Sequence, residues 1–134
     1  MTRVMPSTNP SAEDKLIKYI KELQQIGVDF IHCDVMDGKF VEAKCLPIEL
    51  IREIKDNSLL NLDIHLMIEN PLKTLIDYCM LRPSYITLHY EAFENSKDLI
   101  KAIEIIKAQS GKQLDYNVVQ AFLRVVNKFD FEIE

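Results

Sequence analysis

VDFIHCDVM, residues 28–36, is a mostly apolar run broken at alternate positions by His32 and Asp34. A short run that is apolar at both parities suits a strand buried on both faces, as in a parallel sheet. Asp37-Gly38 closes it with a turn signal. LLNLDIHLM, residues 59–67, has the same form, with Asp63 and His65 at alternate positions. SYITLHY, residues 84–90, is a third such run with good β propensity, and it carries His89 near its end. Their repetition points to one kind of sheet.

The segments between these runs have helical spacing. Leu16, Ile17, Ile20, Leu23 and Ile26 recur on one face, with Ser11 and Asp14 in the places of a capping box and Gly27 in that of a C-terminal cap. Pro47 fits the first turn of a second helix through Ile48, Leu50, Ile51 and Ile54, ended by Asp56-Asn57-Ser58. Asn70 and Pro71 open a third, carrying Leu72, Leu75, Ile76 and Met80, and Asn95 or Ser96 starts a fourth through Leu99, Ile100, Ile103 and Ile106 to Gly111. RVMP, residues 3–6, fits a short first strand. Strands alternating with helices in this way predict an α/β fold of four βα units around a parallel sheet. From Lys112 onward the alternation stops, and Val118, Phe122 and Val125 are spaced as on a helix.

Composition excludes several classes. With 21 acidic against 16 basic residues and a formal charge of −5, the chain lacks the basic footprint of a nucleic-acid binder. Its apolar runs are too short to span a bilayer, and its first residues lack the apolar core of a secretory signal. Cys33, Cys45 and Cys79 are too few and too scattered for a disulfide framework, so a cytoplasmic location is expected. The length of 134 residues suits one domain.

In parallel α/β folds the working side chains gather at the carboxyl ends of the strands. His32, Asp34 and Met36 share one face of their strand, and Asp63, His65 and Met67 share one face of theirs. Neighbouring strands lie roughly 4.8 Å apart, which lets His32, Asp34 and His65 converge on one ion. Two imidazoles and a carboxylate suit zinc, iron, manganese or cobalt, with positions left for substrate. A lone histidine or aspartate in an apolar run is more often a hydrogen-bonded core group than a ligand. Here all three histidines fall at the ends of successive strands, and that coincidence favours a site. The methionines weigh less, since methionine commonly fills gaps in a core. Cys33 is expected to face the helices as a buried hydrophobe, and Glu91 equally suits a solvated loop.

HCDVMDGKFV, residues 32–41, and LDIHLMIENP, residues 62–71, resemble the two signature segments of the ribulose-phosphate 3-epimerase family. YITLHYEA, residues 85–92, resembles its fourth strand, and Met5-Pro6-Ser7 its first. The resemblance covers roughly residues 3–110. It implies the first four βα units of a (β/α)₈ TIM barrel that interconverts ribulose 5-phosphate and xylulose 5-phosphate. A phosphorylated ketopentose is then the substrate, with a related ketose phosphate as a close variant. By the same resemblance His32, Asp34 and His65 hold a divalent metal and Asp34 is one of two acid/base groups. Ser7, His65, Met36 and Met67 would meet the substrate.

The chemistry needs such residues. Epimerisation takes a proton from the carbon beside a ketone and returns one to the opposite face, through an enediolate whose charge a cation stabilises. The family's second acid/base, an aspartate on strand seven, and its glycine-rich phosphate grip have no counterpart here, and the chain has only three glycines. Glu42-Ala43 and Thr8-Asn9 also depart from the family, which has Pro-Asn and apolar residues there. The expectation is the N-terminal half of a barrel over residues 1–111, shortened relative to the roughly 250 residues of a closed one, with a divergent helical tail over residues 112–134. Three readings follow: an epimerase, an inactive half barrel that still holds metal, or an assembly module forming homo-oligomers through exposed sheet edges.

Overall fold

The computed structural model describes residues 2–109. It is an α/β structure with a mostly parallel sheet of four strands. The elements run α1 (Leu16–Gln25), β1 (Phe30–Asp37), β2 (Lys44–Cys45), α2 (Ile48–Asn57), β3 (Asn61–Met67), α3 (Leu75–Cys79), β4 (Tyr85–Leu88) and α4 (Ser96–Gln109). The sheet order is β2-β1-β3-β4, with β1, β3 and β4 parallel and β2 antiparallel to β1. Strand, helix and neighbouring parallel strand follow one another as in part of a TIM barrel.

Alternation along the strands separates two faces. Ile31, Cys33 and Val35 of β1 and Leu62, Ile64 and Leu66 of β3 are buried against the helices. They meet Leu16 and Ile20 of α1, Ile51 and Ile54 of α2, Leu75 and Cys79 of α3, and Ala102 and Ile106 of α4 in one core. Each fully buried aliphatic side chain contributes about 1.5–3 kcal/mol. The register then sets Asp34 beside His65, His32 beside Asp63 and Met36 beside Met67 on the opposite, partly open face.

Several local expectations are corrected. The first strand, placed at residues 3–6, is reduced to one parallel bridge between Ser7 and His32. The His32 N–H donates to the Pro6 carbonyl at 2.7 Å and the Thr8 N–H to the His32 carbonyl at 3.0 Å. Pro6 has no N–H of its own to extend this ladder. Ser11 does not cap α1. The helix is preceded by a 3₁₀ turn, Glu13–Lys15, whose N-cap is Ala12, so Ser11 stands one residue too early and its hydroxyl donates to the Ala12 carbonyl. Gly27 ends α1 as expected, at φ +87°, with Gly27 N–H on Gln24 O and Val28 N–H on Leu23 O.

Pro47 is the N-cap of α2 rather than a residue of its first turn. The third helix is broken into a 3₁₀ turn, Pro71–Lys73, and the short α3. Asn70 sits at φ +44° and its side chain caps nothing. The tighter turn shifts the helical phase, leaving Ile76 and Met80 exposed while Leu75 and Cys79 are buried. Asn95 is confirmed at the head of α4, its Oδ1 accepting the Asp98 N–H at 2.9 Å. The tail helix, Gly111 and the boundary at 111/112 lie outside the described residues. Among the described residues, no helix is long and apolar enough to cross a membrane.

Candidate metal centre

Three side chains from two adjacent strands meet on the open face. Asp34 Oδ1 lies 2.8 Å from His32 Nε2 and 2.9 Å from His65 Nδ1. These three ligand atoms all lie within 4.8 Å of one another. The cluster follows from register and parity: Asp34 and His65 are paired neighbours, and His32 is two residues back on the same face of β1.

A second layer orients the imidazoles. Asp63 Oδ2 accepts from His32 Nδ1 at 2.7 Å, leaving Nε2 directed at Asp34. His65 Nε2 lies 2.6 Å from Nε2 of His89, so one imidazole donates to the other. The His89 ring also lies 5.2 Å from that of Phe40, centroid to centroid. Carboxylate or imidazole partners on the far nitrogen of a histidine are the usual means of fixing a metal ligand's tautomer and direction.

The electrostatics agree with this geometry. Burial alone would lower the pKa of His32, but its hydrogen bonds to Asp63 and Asp34 and their charges outweigh that and raise it. Burial would raise that of Asp34, and the hydrogen bonds from His65 and His32 bring it down instead. Cys33 faces the helices as expected, and burial pushes its thiol up to about 12, out of the range of an active nucleophile. Two imidazoles and a carboxylate held ionised make a donor set that fits a divalent cation such as zinc, iron, manganese or cobalt.

The other expected residues fall around this cluster. Met36 and Met67 are half-buried register partners on the same face, and Ser7 bridges to His32. The Ser7 hydroxyl accepts the Asn9 N–H at 3.0 Å, and its carbonyl accepts the Tyr19 hydroxyl. Glu91 is exposed on the Tyr90–Ala92 turn. A cleft of about 560 Å³, with Asp37, Lys44, Cys45 and Lys73 among its lining, runs behind the strand ends rather than over the histidines. The ligand atoms therefore mark the site better than this cleft does.

Two residues gain parts that the sequence did not suggest. Asp37 is more than a turn residue: its Oδ1 accepts the N–H groups of Lys39 and Phe40, and its Oδ2 that of Glu69, tying the loops after β1 and β3 together. Asn9 reaches Asp34 across 25 residues of sequence, its Nδ2 donating to Oδ2 at 3.0 Å. The pairing of Asp63 with His32 had a signal, since each faces the other at one register position. Asn9 had none beyond its place after the first strand.

Comparison with known proteins agrees with the motifs. The model of the ribulose-phosphate 3 epimerase family matches residues 3–133, beyond the limit near residue 110 drawn from the motifs. The chain is similar to ribulose-phosphate 3-epimerase of Bacillus subtilis (strain 168), 35% identical over 115 residues, which cover 84% of this chain and 50% of the relative. It is similar to that of Chlamydia pneumoniae, 36% identical over 91 residues, 68% of this chain and 40% of the relative. That of Treponema pallidum (strain Nichols) is 32% identical over 97 residues, 72% and 43% respectively. The chain thus spans half or less of the length of these relatives.

Proposed function

The chain belongs to the ribulose-phosphate 3-epimerase family, and on that premise we propose that it serves the metal-assisted epimerisation of D-ribulose 5-phosphate to D-xylulose 5-phosphate. The observation that carries this reading is the meeting of His32 Nε2, Asp34 Oδ1 and His65 Nδ1 on one face of the neighbouring parallel strands β1 and β3. In it, His32, Asp34 and His65 hold the cation, and Asp63 and His89 orient the two histidines. The cation would supply Lewis-acid stabilisation of the charge that develops on the substrate oxygens.

In this reading Asp34 takes the proton from the carbon beside the ketone on Oδ2, the oxygen turned away from His32 and His65. Ser7, His65, Met36 and Met67 form the adjoining substrate wall. In this reading the elements up to α4 are the first part of a cytoplasmic barrel enzyme. Among the described residues, Asp63 is the other carboxylate at this cluster, and it is engaged with His32.

A coupled assay of the purified, metal-loaded chain tests this. Turnover that Asp34→Asn lowers by about 1000-fold or more, a loss near 4 kcal/mol of transition-state stabilisation, supports it. No turnover above a metal blank contradicts it for this chain.

A second reading rests on the sheet edge. Among the described residues β4 pairs only with β3, and an open strand edge is a template for pairing with another chain. A metal-holding module that self-associates there would sediment as a dimer, and a stable monomer contradicts it.

A further inference from the structure

Asn9 is exposed, yet its backbone N–H and both ends of its side-chain amide are engaged. Its N–H donates to Ser7 Oγ and its Nδ2 to Asp34 Oδ2, both at 3.0 Å, and its Oδ1 accepts from the Cys45 thiol with the sulfur 3.7 Å away. The partners fix the sense of the amide. A carboxylate only accepts, so Nδ2 faces Asp34, and the thiol donates to the oxygen that remains. Burial, with the negative charges of Asp34 and Glu13, holds the Cys45 pKa up, which keeps that proton in place. Asn9 is itself tied to the strand bearing Asp34, because the preceding N–H, that of Thr8, donates to the His32 carbonyl.

Asp34 therefore divides its two oxygens. Oδ1 faces His32 and His65, and Oδ2 faces Asn9. A carboxylate with both oxygens free can chelate a cation, and one whose second oxygen is held by a donor offers a single ligand atom. We propose that Asn9 is a positioning residue of the metal centre: it holds Oδ2 of Asp34 so that Asp34 binds a divalent cation through Oδ1 alone, leaving a coordination position for substrate, while the Cys45 thiol keeps the Asn9 amide turned the right way. This rests on the reading of His32, Asp34 and His65 as metal ligands. It gives the two-residue strand β2 a role, because β2 delivers Cys45.

Cobalt(II) is a direct probe, since its visible bands weaken as the coordination number rises. The native chain and Asn9→Leu, which keeps the bulk and removes the donor, are titrated with Co²⁺ alone in competition with a chelator. Circular dichroism checks that this exposed substitution leaves the fold intact. In Asn9→Leu the bands weaken and shift as the second Asp34 oxygen joins, and Co²⁺ affinity falls by about 10-fold. Cys45→Ala moves the spectrum in the same direction by less, and Cys45→Ser, which restores a donor, returns it toward the native one. A native spectrum in Asn9→Leu overturns the inference, whatever the affinity, and leaves the metal reading standing. A native chain that takes up no Co²⁺ overturns both.

Discussion

The two faces of the sheet are made by the same strands and differ in everything else. On the helix side, Cys33, Ile64 and Leu66 are wholly buried among aliphatic neighbours. One residue along, on the open side, His32, Asp34, Asp63 and His65 are partly exposed and hydrogen-bonded to one another. Packing that cannot slip on one face fixes the register, and the register alone brings Asp34 beside His65 on the other. A packed apolar face thus positions a polar, hydrogen-bonded one. Substitutions should separate the two: those on the helix side cost folding, and those on the open side cost metal and turnover.

The largest effect on the folding side is expected at Ile64. Ile64→Ala removes a fully buried side chain between β1, β4 and the helices and should lower stability by about 3 kcal/mol, read by urea unfolding. A loss under about 1 kcal/mol would mean that the core does not fix the register. Asp63→Asn should do the reverse. It keeps the shape, weakens the orientation of His32 and should lower metal affinity by about 10-fold, with the melting temperature little changed. An affinity equal to native would remove Asp63 from the centre.

A smaller effect is expected at Asp37, which ties the loops after β1 and β3 together. Burial pushes its pKa up, but the N–H groups of Glu69, Lys39 and Phe40 outweigh this and hold it below its ordinary value of 3.8. A carboxylate with a depressed pKa contributes stability above its unfolded value, and loses it as pH falls through the folded one. The native chain should therefore melt above Asp37→Asn near neutral pH, with the gap closing on acidification below about pH 4. A gap that does not change with pH would show that the charge of Asp37 plays no part in joining the loops.

Much of this was legible in the sequence, because it depends on alternation and on side-chain chemistry. The parallel strands, the buried parity with Cys33 on it, and the grouping of His32, Asp34 and His65 follow from periods of two residues and a neighbouring-strand spacing. What escaped depends on local backbone geometry that leaves no period. Lys44-Cys45 is too short to carry a pattern. Asn70, at positive φ before a 3₁₀ turn, changed the phase of the third helix. The reach of Asn9 to Asp34 depends on where one bridge at Ser7 ends the first strand. Thr8-Asn9 stood out in the sequence only as a departure from the family, and the fold turns that departure into a contact with the site.

Equilibrium dialysis of the native chain and His65→Ala against Zn²⁺ or Mn²⁺, with metal content measured afterwards, tests the metal centre most directly. The native chain should retain one ion per molecule, and His65→Ala should lose it while keeping its circular dichroism and melting temperature. A native chain that retains none, or a variant that retains as much as native, would contradict the assignment of the open face as a metal centre.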